Sequence, residues 1–412
     1  MNENLQTLEQ ASAAETMSAA KVEACETTDV NQRVWRTSAA AIMIIGAFLR
    51  LYDLNLVPLH HDEGVNGNFL VQLVSNGFYQ YDPQNYHGPT LYYFAALIPW
   101  ISKFLFGTSF VETYGLSTFT IRFVTAAFGI ATVWLVLTLR RRIGTIAALA
   151  GAALLAISPG AVYLSRYFIH ETLLVFFILS VVVASLCFYE SMRPSYLLLA
   201  AASAALAFAT KETAIISAGV LLMALGSTIV MARLRKIHEG QSNAGNGRGK
   251  LATLQERVRS AAGRFGGPLS LAILSIAALS LFLTIEILFY SSFFTNYPKG
   301  LYDSLKTFEF WARTGTRDHS HPWSTYFTWM FKEESPLMLL GSAGTVLALW
   351  RGSNRFAVFA AFWALGTLAA YSLIPYKTPW LMLNFLVPLA ITGGYAFEEI
   401  YKQGGARKPP LV

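Results

Sequence analysis

Charge is what this sequence has least of. Asp, Glu, Lys and Arg make up only 13% of its 412 residues, against about 25% in a soluble domain. That is too little polar side chain to clothe several soluble domains. Cysteine is nearly absent too: Cys25 lies in a polar tail and Cys187 in an apolar run. Two such residues exclude a disulfide framework and a cysteine-based zinc site. Residues 1–34 lack the pattern of a cleavable signal peptide. They are polar, rich in Ala, Glu and Thr, and hold only Lys21 and Arg33 as basic residues. A segment with so little apolar side chain cannot offset the entropy of ordering, and a disordered cytoplasmic tail is expected.

What is present in quantity is hydrocarbon. Hydrophobic residues are 54% of the chain, and they gather into runs with few or no charges, long enough to cross a bilayer core of roughly 30 Å. The expected fold is all-α and polytopic, with about ten transmembrane helices at 37–54, 119–139, 145–163, 172–190, 195–210, 214–232, 269–290, 335–350, 355–374 and 379–397. The net charge of +7 would suggest nucleic acid in a soluble protein. Here the basic residues sit between apolar runs, where they orient the chain in the membrane, so no nucleic-acid partner is expected. The 233–267 loop holds eight Lys or Arg between Arg233 and Arg264 against two Glu, which assigns it to the cytoplasm. Counting back, the triplet Arg140-Arg141-Arg142 is cytoplasmic only if the apolar run 91–106, with its Pro99 and Lys103, lies in the interface without crossing. Arg351, Arg355 and the 401–412 tail then fall inside as well. One body, 35–400, is expected in the cytoplasmic (inner) membrane.

This parity puts residues 55–118, 164–171, 211–213, 291–334 and 375–378 on the external face, and the unusual polar residues lie there. The first loop carries His60-His61-Asp62-Glu63, then Tyr81-Asp82, then His87-Gly88-Pro89. Such a carboxylate pair can take a proton from an acceptor or hold a metal ion. It can equally be a helix start, with Asp62 capping an interfacial helix over 63–76. Arg166, His170 and Glu171 stand where the fourth span begins. Spacing puts Arg166 and His170 on one helix face, as part of a site or as a local ion pair. Lys211, between Thr210 and Glu212, is a cation suited to a lipid-borne phosphate, or a snorkelling side chain paired with Glu212. Lys377, between Pro375 and Pro379, is another. His319 and His321 can bind metal or form a surface turn, and Glu286 is an acid inside an apolar run with no partner visible in the sequence.

The stretches HHDEGVNGNF (60–69), YQYDPQNYHGPTLYYF (79–94), SPGAVYLSRYFIHE (158–171), FATKET (208–213) and PYKTPW (375–380) resemble the GT-C superfamily of membrane glycosyltransferases. The likeness is to its dolichyl-phosphate-mannose–protein mannosyltransferase-like branch, and within that to the prokaryotic flippase-activity-associated subfamily. It spans roughly residues 37–400. The resemblance implies an inverting transferase that takes a monosaccharide from a polyprenyl-phosphate donor. Asp62, with Glu63 beside it, would be the catalytic acid pair and Asp62 the base. Lys211, with Arg166 and Lys377, would face the donor phosphate. His61, Tyr81, His87, His170, Glu171 and Glu212 would line the pocket, and Asp62 and Glu171 would hold a divalent cation such as Mg2+ or Mn2+ where one is used. The expected partners are the donor, membrane lipids and an acceptor glycan, protein or lipid. The chain ends soon after the tenth span, without the soluble domain of some relatives, so the acceptor stays open. The alternative is a non-catalytic flippase partner or lipid-linked-glycan transporter. A transporter has no need of an acid pair on an acceptor path, and the halves of the chain show none of the repeat symmetry common in transporters.

Overall fold

A computed structural model describes residues 30–85, 87–107, 116–242, 263, 266–314 and 320–406. The expectations for the N-terminal tail, for most of the 233–267 loop and for His319 fall outside these residues. Among the described residues, fifteen helices of seven residues or more carry the description: α1 (Gln32–Leu51), α2 (His61–Asn76), α3 (Thr90–Phe106), α4 (Thr118–Thr138), α5 (Thr145–Ile157), α6 (Pro159–Ser165), α7 (Glu171–Ser191), α8 (Pro194–Thr210), α9 (Ala214–Ser242), α10 (Pro268–Tyr290), α11 (Lys299–Thr314), α12 (Thr325–Glu333), α13 (Ser335–Arg351), α14 (Arg355–Leu373) and α15 (Leu383–Ala406). No strand occurs among the described residues, only an isolated bridge between Ser320 and Tyr376.

Every expected span is helical, one of them broken, and the protein is an integral, multi-pass membrane protein. Among the described residues, seven helices are long and apolar enough to cross a bilayer, and the bent pair α5–α6, taken as one span, makes an eighth. The 17-residue helices α8 and α13 are shorter than a typical crossing. Polar contacts sort the helix ends onto two faces. On one, Arg140 lies over the Trp35 ring at 4.4 Å and Arg142 pairs with Glu190. There too Arg351 pairs with Glu399, and Arg235 donates to the carbonyls of Leu349, Trp350 and Arg351. Asn354 Nδ2 donates to the Arg142 carbonyl at 2.7 Å, which joins the ends holding Arg140, Arg142, Arg235 and Arg351. At the other face Arg122 of α4 donates to the carbonyls of Leu54 and Val57, both at 2.8 Å. The chain between α1 and α4, α3 included, therefore starts and ends on that face.

The run 145–163 was expected to be one continuous span; instead it breaks at Ser158-Pro159, where α5 and α6 meet at 61°. A proline ring cannot continue the ladder, and the freed groups find other partners. Arg50, fully buried in α1, donates to the carbonyls of Leu155 and Ala156 at 3.0 and 2.9 Å. Glu334 accepts from Ser158 Oγ at 2.7 Å and from the Gly160 amide at 2.5 Å. Burial pushes the Glu334 carboxyl above its ordinary value. These contacts fix the angle at which α6 delivers residues 166–171 to the site. On the far side α15 packs against α5 so closely that a Cβ at Gly394 would collide with the Ala147 carbonyl, the small-residue contact expected between membrane helices.

Candidate functional site

The acid pair opens α2, and its two members are placed differently. The cap is His60, not Asp62 as the sequence suggested: His60 Nδ1 accepts from the Asp62 amide at 3.3 Å, and Glu63 Oε2 accepts from the His60 amide at 3.1 Å. This is the reciprocal arrangement of a capping box, with an imidazole in place of a hydroxyl. Glu63 is completely buried. Its Oε1 also accepts from Arg122 Nε at 2.8 Å and the Phe168 amide at 2.9 Å, and its Oε2 from Arg122 Nη2 at 2.7 Å. All four lone-pair directions of the carboxylate are taken, so Glu63 ties α2, α4 and the turn before α7 together and has no position left for a substrate proton. Asp62, one residue earlier, is half-buried, its Oδ2 3.9 Å from His60 Nδ1. His61 is exposed at the first turn.

A second cluster forms where the start of α3, the start of α7 and the α8–α9 junction meet. Lys211 and Glu171, both buried, form an ion pair. The alternative pairing of Lys211 with its neighbour is not what forms, because Glu212 turns to His87, whose Nδ1 lies 3.1 Å from Oε2. His170 Nε2 lies 3.0 Å from the Gly88 carbonyl. A carbonyl only accepts, so Nε2 carries the hydrogen and Nδ1 is left bare, buried and without a hydrogen-bond partner. Burial first, then the charges of His87 and Lys211, push His170 well below the ordinary histidine value, so it is neutral. Arg166 and His170 do not share a helix face, since α6 ends at Ser165 and α7 begins at Glu171.

Gly88 explains why the His-Gly-Pro turn needs its glycine. Its amide donates to the Thr210 carbonyl at 3.1 Å, and a Cβ there would run into the Ala209 carbonyl. Thr90 Oγ1 reinforces the contact at 2.6 Å from Thr210 Oγ1. Gly88→Ala is expected to cost about 1–3 kcal/mol through overpacking, read as a lower thermal midpoint in detergent. Burial raises the Glu212 carboxyl from 4.5 to about 7, Lys211 opposing. A raised carboxyl binds its proton more tightly in the folded state, so this contribution is complete below pH about 4.5 and is lost as pH rises through about 7. The thermal midpoint should therefore fall between pH 5 and 8, and Glu212→Gln should flatten the fall.

The remaining predicted residues are scattered. Lys377 is buried and donates to the carbonyls of Ser372 at 2.8 Å and Ile374 at 2.5 Å, with Tyr371 at 3.4 Å. It closes the end of α14, and all three of its protons are engaged. Burial pushes it below the ordinary lysine value. Tyr81 is buried edge-on to Tyr290 at 4.8 Å, and burial pushes its hydroxyl up. The His321 amide donates to the Pro375 carbonyl at 3.1 Å, pinning the start of the segment that leads into α12 to the PYKTPW turn. Arg166 donates to the carbonyls of Leu49 at 3.3 Å and Asp53 at 2.8 Å, with no polar contact to the Lys211–Glu171 pair. Glu286 is buried with neither carboxylate oxygen hydrogen-bonded. Of the expected metal ligands, Glu171 already has its cation in Lys211. Among the described residues, no three His, Cys, Asp or Glu side chains converge as a metal site.

Sequence reasoning missed Arg122 and Arg50. Both stand inside apolar runs, and an ionisable residue in a span marks a structural or functional commitment. It also missed the layer beneath α2, where Asn66 donates to the Phe168 carbonyl at 2.9 Å and accepts from the Tyr92 hydroxyl at 3.0 Å.

Residues 87–239 match the family model of dolichyl-phosphate-mannose-protein mannosyltransferases. No curated protein sequence matches the chain. Solved structures do. ArnT from Cupriavidus metallidurans bound to undecaprenyl phosphate is 18% identical, over 89% of this chain and 60% of its own, with a TM-score of 0.59. Its apo form gives 16%, 91%, 62% and 0.56. The oligosaccharyltransferase AglB from Archaeoglobus fulgidus, in complex with an inhibitory peptide and a dolichol-phosphate, is 15% identical over 90% of this chain and 50% of its own, at 0.54. The chain thus spans between half and about three fifths of these proteins' length. It shares their fold.

Proposed function

We propose that the protein is an inverting glycosyltransferase that moves a monosaccharide from a polyprenyl-phosphate donor to an acceptor on the non-cytoplasmic side of the cytoplasmic membrane. The observation that carries this is the division of labour in the acid pair. Glu63, saturated by Arg122, Phe168 and His60, makes a rigid buried mount, and Asp62 beside it stays accessible. A base fixed in place yet open to its substrate is what general-base catalysis needs. The GT-C fold agrees, as do neighbours whose structures hold undecaprenyl phosphate and dolichol-phosphate. The Arg-rich helix ends opposite the site support an external site.

In this mechanism Asp62 takes the proton of the acceptor as its oxygen or nitrogen bonds to the anomeric carbon. On the opposite face of that carbon the bond to the phosphate oxygen breaks, and its electron pair leaves with the polyprenyl phosphate. The cluster of Lys211, Glu171, His87 and Glu212 is the receiving end for that phosphate, with Lys211 as the cation. Lys377 acts at a distance, holding the turn at the end of α14. A divalent cation, where one is used, would add charge stabilisation at Asp62 and Glu171. The lysine pair at Glu171 leaves that donor set incomplete, so no step is assigned to it.

The test is transfer from a panel of radiolabelled polyprenyl-phosphate sugars by the purified protein in nanodiscs, with membrane extract as acceptor, with and without EDTA. A labelled product supports the assignment and identifies the acceptor, and the EDTA arm reads metal dependence. No product from any donor, with a monodisperse protein, would sink it in favour of a lipid-handling role.

A further inference from the structure

We infer that the groove beside Asp62 receives the acceptor, and that the acceptor is a lipid whose phosphate headgroup is held by Arg166. This deepens the transferase reading and rests on it. Between the end of α1, the 54–59 loop and the α5–α6 bend lies a cavity of about 540 Å³, within the roughly 300–1,000 Å³ of sites that take small molecules. Its walls are apolar, and several are open to the surroundings: Leu56 is 66% exposed, and Ile157 and Tyr163 are each 58% exposed. In a membrane-spanning chain, an apolar groove open along its side faces lipid tails.

The polar end of the groove is specific. Arg166 lines it, half-buried, its Nη1 and Nη2 fixed by the carbonyls of Leu49 and Asp53. Carbonyls set the plane of the guanidinium but do not neutralise it. Among the described residues no carboxylate pairs with Arg166, whereas Arg122, in the same wall, is balanced by Glu63. An uncompensated cation above an apolar trough matches an anionic headgroup on an acyl or isoprenoid chain, and guanidinium suits phosphate oxygens in particular. His60 and Glu63, the neighbours of the acid-pair turn, also line it, and His60 Nδ1 stands 3.9 Å from Asp62 Oδ2, which sets the polar end of the groove on the side of the base. The chemistry decides between the two substrates. In an inverting displacement the base sits on the acceptor's side of the anomeric carbon, and the leaving phosphate lies across the sugar from it. The groove on the Asp62 side therefore belongs to the acceptor, and the donor phosphate belongs to the Lys211 cluster.

Phosphatidic acid with a diazirine in its tail serves as probe, incorporated at trace level in phosphatidylcholine nanodiscs with the intact protein and photolysed without any sugar donor. Adducts should fall on residues 49–59 and 157–167. They should drop about tenfold in Arg166→Gln, as loss of a charge-assisted phosphate contact implies, and also in Val162→Trp, which fills the trough. Added inorganic phosphate should leave labelling unchanged, and the same tail on phosphatidylcholine should label less. Labelling indifferent to both Arg166→Gln and Val162→Trp, or adducts spread evenly over the other helices, would overturn the inference. So would competition by free phosphate. Labelling needs no turnover, so adducts in the groove without transfer from any donor would count against the transferase alone. Transfer to a protein acceptor without groove labelling would count against this inference alone.

Discussion

Arg122→Ala is expected to cost the fold roughly 3–5 kcal/mol, the range found when one partner of a buried ion pair is removed. Arg122 makes five hydrogen bonds: two to Glu63 and one each to the carbonyls of Leu54, Val57 and Pro58. Its removal leaves Glu63 charged and completely buried, and strips donors from three carbonyls of the loop leading into α2. Arg122→Lys restores one charge but not the planar fork, so it should recover only part of the loss. The thermal midpoint of the detergent-solubilised protein, followed by loss of monodispersity, checks this. An Arg122→Ala variant as stable as wild type would mean that the clamp does not hold the loop, and with it the account of why Asp62 is well placed. Transfer should vanish in the same variant, because the base loses its mount.

The membrane architecture was legible because it follows from composition. Runs of hydrocarbon and the Arg bias between them are local signals, and all ten runs are helical, one of them broken. What the sequence could not show was where a helix bends. Ser158-Pro159 reads as a tolerable pair within a span, and the bend depends on Arg50 and Glu334 reaching across from helices distant in sequence. The placement of individual candidate residues was hidden for the same reason. Asp62 and Glu63 are adjacent and chemically alike; only the arrival of Arg122, 59 residues later, makes one a mount and leaves the other exposed. Lys377 and Lys211 looked equivalent as cations held at a boundary. One caps a helix end and the other joins an ion pair, a difference set by tertiary packing. The His-Gly-Pro motif could be recognised from sequence, while its reason, the approach of Gly88 to the Ala209 carbonyl, lies 121 residues away.

Asp62→Asn is expected to lower the transfer rate by about 10²–10⁴-fold, the usual contribution of a positioned general base. The amide keeps the size and nearly the shape of the carboxylate. The Asp62 amide would still donate to His60 Nδ1, so the capping of α2 and the Glu63 clamp should survive. Stability should change by less than about 1 kcal/mol, as for a surface substitution away from buried networks. The loss should fall on kcat, with donor binding retained, since the phosphate is received at the Lys211 cluster. Glu63→Gln should behave in the opposite way, losing stability first and activity as a consequence. That contrast separates a residue that touches the reacting atoms from one that holds it in place.

The most direct measurement follows label from a polyprenyl-phosphate sugar into product, in nanodiscs, with wild-type and Asp62→Asn protein purified side by side and matched for thermal midpoint. The account predicts product with the wild type and, with the variant, a rate at least about a hundredfold lower in an equally stable protein. Near-equal rates from the two would contradict it, since transfer would then proceed without the base on which the proposed chemistry depends.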